Sequence, residues 1–455
     1  MSTGVSSDKS VREAYEADSS GLHLVPELVA RPESVADVIE LVKEAATDRT
    51  PITCAGAQTS TTAASITDRG MLLSLRSLSH IGQPDPKAKT VKVGPGALVG
   101  EIKRMAAETG LLFAPDPTSE DESTIGGAIA CNASGARTFK YGATRRHVRA
   151  LKVVLANGDL MEFRRSDLEK NTVGYAFAHD PIDWFIGSEG TLGIIVEAEL
   201  ALLPLPNHVI GLAILFRTEE EALKFVVATR ESGTVTPRCI EYFDDRSLEI
   251  ARVAIRATMI PDDAGAMVYV EEEILDNVDS SLARWLELIE LIAPDFEPLV
   301  FDGEARLREA RKIRHSIPST MNERGGRHRE AGGRKVGTDW AVPYRKLAHA
   351  IHTARALAAQ QGIEPAVIYG HAGNGHPHQN FLARDARELA TIEEVVEQTL
   401  KYILSLGGTV AAEHGIGKIK RRWLPLQMNS LQISMMTAVK RDLDPLGILA
   451  PGNIL

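Results

Sequence analysis

Two segments in the last hundred residues combine histidines and a carboxylate that can do acid–base or metal chemistry. The first segment is GHAGNGHPHQN at 370–380, and the second is AAEHGIGK at 411–418. Their candidate residues are His371, His376, His378, Glu413 and His414. Two imidazoles and one carboxylate with open positions form a common divalent-metal site, which is compatible with Zn, Mn or Fe. A histidine next to such a site is a candidate general base.

The spacing of these residues does not by itself bring them to one point. His371 and His378 are seven positions apart, which is not the H-x-x-x-H spacing that places two ligands on one helical face. A glycine-rich loop can still fold both imidazoles together. On a strand, the adjacent Glu413 and His414 would face opposite sides. Spacing alone therefore leaves metal ligands and ordinary surface or core histidines as alternatives.

Basic residues form further clusters. The segment RLREARKIRHSIP at 306–318 is arginine-rich, and Lys335 lies in KVGTDWAVP. A guanidinium suits a substrate carboxylate because it can donate two parallel hydrogen bonds, but a solvated basic helix is the alternative interpretation. The run KIKRRW at 418–423 is the densest basic patch. A solvated helix face is its simpler interpretation, with an anionic partner or lipid surface as the alternative.

Three segments rich in glycine and small residues lie earlier in the chain. They are GAQTSTTAAS at 56–65, the run at 113–148, and GSEGTLGII at 187–195. Such backbone can present N–H donors to a phosphate at close range. Segment 56–65 lacks the lysine of a P-loop and no G-x-G-x-x-G opens a helix nearby, so neither an NTPase nor a Rossmann dinucleotide site is indicated. Plain glycine turns remain the alternative for each segment taken alone.

Hydrophobic periodicity predicts the elements that must position these residues. A helix is predicted at ESVADVIELVKEAA and leads into the strand PITCA. Short β-rich runs follow, with one helix at LVGEIKRMAAETG, and the proline-bounded segment 203–209 is a candidate domain boundary. Longer helices and further strands after it predict a second α+β domain. From about Thr409 the chain is predicted to close back on the first domain.

Composition excludes several classes of protein. With 44% hydrophobic and 25% charged residues, the chain of 455 residues is not collagen-like, coiled-coil or largely disordered. Its net charge of -10 opposes binding to nucleic acid. Cys54, Cys131 and Cys239 contain no C-x-x-C pair, which excludes an iron–sulfur cluster and favours a reducing compartment. No apolar run of about 18 residues occurs, so a cytoplasmic protein without a transmembrane segment is expected.

The three glycine-rich segments, in this order, resemble the FAD-binding domain of the vanillyl-alcohol oxidase / p-cresol methylhydroxylase superfamily. Its motifs P-x-D-P-x-S…T-I-G-G…N-[AS]-x-G and G-S-E-G-T-L-G are matched nearly letter for letter. The C-terminal segments resemble the G-H-x-G-D-G-N-x-H and E-H-G-I-G motifs of its D-2-hydroxyacid dehydrogenase branch. That branch includes D-lactate dehydrogenase, D-2-hydroxyglutarate dehydrogenase and the glycolate oxidase flavoprotein subunit. The likeness covers roughly residues 22–455.

The resemblance implies an FAD cofactor whose pyrophosphate lies against the loop 56–60. That loop contains no histidine, so non-covalent FAD is expected. The implied cofactor-binding residues are Gly56, Ala57, Gln58, Thr59, Ser60, Pro115, Thr118, Ser119, Gly126, Gly127, Asn132, Ser134, Gly142, Glu189, Gly190 and Ile195. Gln58 replaces the family's third glycine, which leaves the backbone conformation at this position open.

The resemblance also implies metal-assisted oxidation of a D-2-hydroxy acid to the 2-oxo acid. By position in the motifs, the metal ligands would be His371, His378 and Glu413, the general base His414, and the substrate arginine Arg311, with Arg314 as the runner-up. A metal-bound hydroxyl is more acidic, so a histidine can take its proton while hydride passes from Cα to the flavin N5.

Four further positions depart from the family motifs. Asn374 stands where the family usually has Asp, and His376 where it has Asn. Both changes lie beside the implied metal ligands, and His376 can compete as a ligand. At the end of the chain, Ala450 replaces the usual Asn and Asn453 the usual Lys, which removes one expected polar contact to flavin or substrate.

The implied fold class is α+β, with a PCMH-type FAD-binding domain of two subdomains and an α+β cap, or substrate, domain that contains an antiparallel sheet. The predicted ranges are a loose N-terminus at 1–21, the FAD-binding domain at 22–205, the cap domain at 206–408, and a segment at 409–455 that returns to the FAD-binding domain.

Because the chain lacks ligands for an iron–sulfur cluster, the electrons taken up by the flavin need another acceptor. They would leave to a separate acceptor such as a quinone, an electron-transfer flavoprotein or a cytochrome, whereas a 2-hydroxy-acid oxidase would use O2. A homodimer and a peripheral position at the inner membrane stay open. A rival class is a non-redox flavoprotein transferase resembling alkylglycerone-phosphate synthase, but its consecutive-histidine motif is missing. A subunit that keeps FAD without catalysis is a third interpretation, which the intact histidines oppose.

Overall fold

The computed structural model of the chain describes residues 4–254, 259–275, 277–292 and 295–455. Its strands are β1 Val5–Ser6, β2 Leu28–Ala30, β3 Ile52–Ala55, β4 Met71–Ser74, β5 Thr90–Val93, β6 Leu111–Leu112, β7 Val148–Val154, β8 Leu160–Arg164, β9 Ile194–Ala201, β10 Leu203–Pro204, β11 Val209–Phe216, β12 Pro237–Asp244, β13 Ala266–Glu273, β14 Leu299–Asp302, β15 Gly332–Gly337, β16 Val367–His371 and β17 His376–Asp385. Its helices are α1 Lys9–Glu13, α2 Val35–Asp48, α3 Val99–Glu108, α4 Ile125–Cys131, α5 Thr138–Tyr141, α6 Ile182–Phe185, α7 Glu219–Glu231, α8 Asp245–Ala254, α9 Val278–Glu290, α10 Gly303–Gly326, α11 Leu347–Gln360, α12 Ala386–Ser405, α13 Leu424–Gln427 and α14 Ser430–Leu443.

The chain folds into two units. Unit 1 contains the chain up to Ser134, Gly142–Leu205 and Glu413–Leu455. Unit 2 contains Gly135–Tyr141 and Pro206–Ala412. The short segment Gly135–Tyr141 thus belongs to unit 2 although the residues on both sides of it belong to unit 1.

Unit 1 is built from two four-stranded sheets and one short strand pair. The first sheet has the order β1-β2-β4-β3, with β2 and β3 both parallel to β4. The second has the order β5-β9-β7-β8 and is antiparallel, and β6 pairs with β10. Neighbouring β9 residues enter different cores, since Ile194 and Val196 belong to one apolar cluster and Ile195 to another. Burial on both faces explains the apolar run Ile194–Val196 at the start of this strand.

The N-terminal residues differ from the loose start that the sequence led us to expect. Strand β1 pairs antiparallel with β2, with Val5 opposite Ala30. Asp8 caps α1 by accepting hydrogen bonds from the backbone N–H groups of Ser10 and Val11. The strand finds a partner because it adds to the edge of the first sheet, which no periodicity in these few residues reveals.

Unit 2 is organised by one seven-stranded sheet. Its order is β14-β11-β13-β12-β16-β17-β15, and all of its described strand pairs are antiparallel. Helix α10 contributes buried residues at helical spacing, including Leu307, Ala310, Ile313 and Ile317, to the same apolar cluster as Phe243 of β12. The expected antiparallel sheet of the cap domain and the α+β fold class are therefore confirmed.

The hairpin of β16 and β17 depends on a left-handed residue at its turn. Gly375 has φ +68°, and a Cβ placed there would lie 1.9 Å from the carbonyl oxygen of Val342. Only glycine fits this position. Any other residue would be strained at this positive φ, and its Cβ would also collide with the backbone.

We predict that Gly375→Ala destabilises the protein more than Gly362→Ala does. Gly362 has φ +67° with nothing within 4 Å of an added Cβ, so it carries the conformational strain without the collision. The control should cost about 1–2 kcal/mol, and Gly375→Ala should add roughly 1–3 kcal/mol of clash. Urea unfolding followed by circular dichroism compares the two, and equal destabilisation would contradict the packing of this turn.

Candidate active site

Strands β16 and β17 form the hairpin that brings three histidines together in unit 2. His371 pairs directly with His376, and Tyr369 pairs with His378. Opposed residues of an antiparallel pair share a face, as do residues two apart on one strand. The ring centroids are 5.5 Å apart for His371 and His376, 5.2 Å for His371 and His378, and 4.8 Å for His376 and His378. The turn between β16 and β17 thus brings His371 and His378 together although they are seven positions apart in the sequence.

Two buried carboxylates accompany these histidines. Glu241 Oε1 lies 2.6 Å from His371 Nδ1, and Asp339 Oδ1 lies 3.1 Å from His376 Nε2. Both acids are 2% exposed. A carboxylate at one ring nitrogen fixes the tautomer and makes the other nitrogen the ligand or acid–base atom. The sequence analysis missed both acids, although an acidic residue within the apolar strand CIEYF is a signal for Glu241.

Glu241 also binds an arginine of α10. Arg314 Nε donates to Glu241 Oε2 at 3.1 Å, and its guanidinium lies 4.7 Å from the ring centroid of Tyr369. Burial opposes ionisation of Glu241, but His371 and Arg314 hold its pKa below the usual range. Burial and the charge of Arg314 lower the pKa of Lys335 to about 8.

Arg311, the arginine that the motif favours, has a different partner. It donates to Glu304 of the same helix. Its side chain is 28% exposed, whereas that of Arg314 is 12% exposed. The structure therefore brings Arg314 rather than Arg311 to Glu241, and the assignment of Arg311 to the substrate stays a prediction.

Part of the longest glycine-rich segment is anchored on the sheet of unit 2. Arg137 Nε donates to Glu271 Oε2 at 3.2 Å, and Lys140 Nζ lies 2.8 Å from Glu273 Oε2. The Tyr141 hydroxyl also donates to Glu273. These residues lie between the predicted cofactor residues Ser134 and Gly142, so the sequence motif does not map onto one unit.

In loop 56–60 of unit 1, the backbone at Gln58 has the left-handed conformation that glycine favours, although the residue is not glycine. Gln58 has φ +57°, in the left-handed region that favours glycine. Its Nε2 donates to the carbonyl oxygens of Tyr15 at 2.9 Å and Ala17 at 3.1 Å. The side chain thus offsets backbone strain by tying the loop to the segment after α1. A Cβ on Gly56 would lie 2.1 Å from Thr124 Oγ1, so this loop approaches the start of α4 closely.

Glu189 connects two of the predicted segments within unit 1. Its Oε1 accepts from the backbone N–H of Ile416 at 2.6 Å, and its Oε2 accepts from that of Gly417 at 2.7 Å. Burial raises the pKa of Glu189, and the two backbone donors oppose this shift. A residue assigned to the cofactor from the motif therefore also holds the E-H-G-I-G segment in place.

Glu413 and His414 lie in irregular backbone rather than on a strand. The condition under which they would face opposite sides is therefore not met, and His414 Nε2 lies 3.3 Å from Glu413 Oε1. Ser134 Oγ donates to Glu413 Oε2 at 3.4 Å. The Glu413 side chain is 9% exposed and that of His414 is 34% exposed, so the imidazole keeps access to solvent.

Asn453 stands where the family has lysine, and a different lysine forms a hydrogen bond with it. Lys418 Nζ donates to Asn453 Oδ1 at 2.7 Å, and burial lowers the pKa of Lys418 to about 8. Asn453 Nδ2 donates to the carbonyl oxygens of Ala64 at 2.9 Å and Glu189 at 3.2 Å. An ammonium group therefore remains beside this position. Ala450, in place of the family's Asn, has φ +43°.

The other predicted cofactor residues also belong to unit 1. Asn132 ends α4 in the left-handed conformation, and its Oδ1 accepts from the backbone N–H of Arg145 at 2.9 Å. Ile195 lies on β9 in the apolar core. The remaining ones occupy loops, turns and α4, and they are Ala57, Thr59, Ser60, Pro115, Thr118, Ser119, Gly126, Gly127, Ser134, Gly142 and Gly190.

No helix in the described ranges has the length and apolar character needed to cross a bilayer.

Comparisons with known proteins identify both parts of the chain. Residues 205–454 match the family described as FAD linked oxidases, C-terminal domain, and residues 26–164 match the FAD binding domain. Among solved structures, an alkyldihydroxyacetonephosphate synthase superposes with a TM-score of 0.75 over 98% of this chain and 82% of that one. Its sequence identity of 18% makes this a likeness of fold alone.

Several relatives are similar over nearly the full chain. The glycolate oxidase subunit GlcD of Bacillus subtilis is 30% identical over 444 residues, covering 94% of this chain and 89% of the relative. A D-lactate dehydrogenase of Archaeoglobus fulgidus is 28% identical and covers 97% and 96%. A D-2-hydroxyglutarate dehydrogenase of Stutzerimonas stutzeri is 28% identical and covers 94% and 91%. The resemblance stated from the motifs is thereby confirmed, and the chain belongs to the FAD-linked oxidases as an FAD-binding oxidoreductase.

Proposed function

We propose that this protein is a dehydrogenase that oxidises a D-2-hydroxy acid to the 2-oxo acid with the help of a divalent metal. The observation that carries the proposal is the cluster of three buried imidazoles, one of which is bonded to Glu241, in a member of the FAD-linked oxidases. Each relative named above has a 2-hydroxy acid in its name, which supports the same substrate class for this protein.

The residues of unit 1 fit an FAD molecule. Loop 56–60 combines small and hydroxyl side chains with a left-handed turn, as backbone that contacts a pyrophosphate requires. Bound FAD supplies the two-electron acceptor for the reaction. Glu189 holds the segment that carries His414, so the backbone near the proposed base is fixed before substrate arrives.

The histidines of unit 2 fit a divalent metal. His371 and His378 are buried imidazoles, and Glu241 orients the first of them. Neutral imidazoles held by carboxylates are typical metal ligands. The motif assigns Glu413 as the third ligand. A metal at these residues would polarise the substrate hydroxyl and make its proton easier to remove.

We assign the role of general base to His414. Its imidazole is partly exposed, and its Nε2 lies 3.3 Å from Glu413 Oε1. A partly exposed imidazole can accept the proton of a substrate hydroxyl. For the substrate carboxylate, Arg314 and Lys335 are partly buried cations of unit 2, and Arg311 remains the arginine that the motif favours.

Electrons must leave the protein after each turnover. The three cysteines cannot build an iron–sulfur cluster, so a quinone, an electron-transfer flavoprotein or a cytochrome is proposed as the separate acceptor. Steady O2 consumption with a hydroxy acid would instead indicate the oxidase alternative.

We predict that His414→Ala slows flavin reduction by about 10²–10⁴-fold, because the hydroxyl proton loses its acceptor. Stopped-flow absorbance of the anaerobic protein mixed with a D-2-hydroxy acid measures this rate. His80→Ala, an exposed histidine of unit 1, is the matched control and should reduce at the wild-type rate. If His414→Ala is reduced as fast as wild type by every active hydroxy acid, the base is another residue.

We also predict that kcat/KM for the hydroxy acid falls as the pH rises through about 8. The pKa of Lys335 is lowered to about 8, so its charge and its attraction for a carboxylate are present below this pH and lost above it. Lys335→Arg keeps its charge throughout and should abolish the fall, which kcat/KM measured from about pH 6.5 to about pH 9.5 would show. An unchanged fall in Lys335→Arg would exclude Lys335 as its source.

A further inference from the structure

We infer that Lys418 supplies a positive charge that stabilises reduced FAD, and that it takes the place of the lysine that the family motif has at position 453. This inference rests on the proposed function only in that FAD accepts the electrons. It goes beyond that proposal, because the resemblance assigns no role to Lys418. Every residue used in it belongs to unit 1.

The side chain of Lys418 ends where three segments of unit 1 come together. Its Nζ donates to the carbonyl oxygen of Ala63 at 3.1 Å, just after loop 56–60, and to Asn453 Oδ1 at 2.7 Å. Asn453 Nδ2 in turn donates to the carbonyl oxygen of Glu189 at 3.2 Å. The ammonium group is thus held by the first glycine-rich loop and the end of the chain, next to the turn that carries Glu189.

The backbone of Lys418 is fixed to the same loop. Its N–H donates to the carbonyl oxygen of Thr62 at 2.9 Å, and a Cβ on Gly417 would lie 2.2 Å from that oxygen. Thr62 Oγ1 also donates to the carbonyl oxygen of His414 at 3.4 Å. One rigid segment therefore carries both Lys418 and the proposed base, which favours the reacting ring of FAD rather than its pyrophosphate as the partner of the ammonium group.

The positive charge of Lys418 is incompletely balanced by the protein. An ammonium group has three N–H donors, and the two acceptors named above are both neutral. In the part of the chain that the structure describes, no carboxylate forms an ion pair with Lys418. Burial lowers its pKa to about 8, although Asp18, Glu189 and Asp68 favour the charged form. A further negative charge beside the ammonium group would therefore stabilise it.

Reduction of FAD supplies such a charge. A hydride brings two electrons and one proton, so the ring system that accepts it gains one negative charge. A cation beside the ring favours the reduced form and raises the midpoint potential. The pyrophosphate, in contrast, is negative in both oxidation states, so a cation beside it would strengthen FAD binding without a change in potential. The two positions for Lys418 can thus be distinguished by experiment.

The substitution at position 453 fits this role. The family's lysine is absent, but the Asn453 side chain accepts a hydrogen bond from Lys418, so one ammonium group remains at this place. A purely structural link between the end of the chain and the loop is the competing explanation. Asn453 already makes that link through the carbonyl oxygen of Ala64 at 2.9 Å. A structural link also needs only hydrogen bonds, whereas the proposed role needs charge.

The test is the midpoint potential of FAD bound to the full chain. Lys418→Met should weaken the binding of reduced FAD relative to oxidised FAD by about tenfold or more, which lowers the potential by about 30 mV or more for a two-electron couple. An anaerobic reductive titration against a dye of known potential measures this at about pH 7, where Lys418 is charged. Lys87→Met, which removes an exposed lysine of unit 1, is the matched control and should keep the wild-type potential.

Two further variants separate charge from hydrogen bonding. Lys418→Gln keeps a donor without the charge, and it should lower the potential as Lys418→Met does. Asn453→Lys in the Lys418→Met background returns an ammonium group from the family's position, and it should restore the wild-type potential. A structural link would instead be preserved by glutamine, and its loss would not follow the charge.

An unchanged potential in Lys418→Met overturns the inference, even if oxidised FAD binds more weakly, because Lys418 would then act on the pyrophosphate. If Lys418→Met does not retain FAD, an unchanged potential in Lys418→Gln overturns it in the same way. A folded double variant that does not regain the potential excludes the replacement of the family's lysine.

The proposed function is tested separately, because the titration uses no hydroxy acid. If Lys418 sets the potential but no D-2-hydroxy acid reduces the flavin, the role of Lys418 stands and the proposed function is wrong. If a D-2-hydroxy acid reduces the wild type but Lys418→Met keeps its potential, the proposed function stands and the role of Lys418 is wrong.

Discussion

Glu241 keeps an ionised carboxylate inside the sheet of unit 2, between the ring of His371 and the guanidinium of Arg314. An unpaired charge at this depth would cost several kcal/mol, and removal of one partner from such a pair typically destabilises a protein by about 3–5 kcal/mol. The pairing therefore fixes three elements at once, namely strand β12, the histidine hairpin and helix α10. The proposed metal and substrate groups of this unit depend on that arrangement.

Unit 1 uses a buried carboxylate in a similar way. Glu189 accepts two backbone N–H groups from the loop after His414, although burial raises its pKa. Backbone donors are fixed in direction, so they position the loop more rigidly than a mobile side chain would. In both units a buried acid binds the segment that carries the reactive histidines. The proposed proton and metal chemistry would thus take place on preformed backbone, as efficient catalysis requires.

Sequence reasoning predicted the α+β class, several of the longer elements and the reactive residue types, because those follow from periodicity and local motifs. It could not predict the register that places His371 opposite His376, since that depends on the turn at Gly375. It also missed Glu241, which is 130 positions from His371. The motif favours Arg311 over Arg314, and only packing shows which of the two arginines reaches Glu241.

We propose that hydride from Cα of a D-2-hydroxy acid reduces the flavin. Anaerobic stopped-flow reduction by a D-2-hydroxy acid carrying deuterium at Cα, compared with the protiated acid, tests it most directly. We expect a primary isotope effect on the flavin reduction rate and no reduction by the L enantiomer. Absence of flavin reduction by any D-2-hydroxy acid, or equal reduction by both enantiomers without an isotope effect, would contradict it.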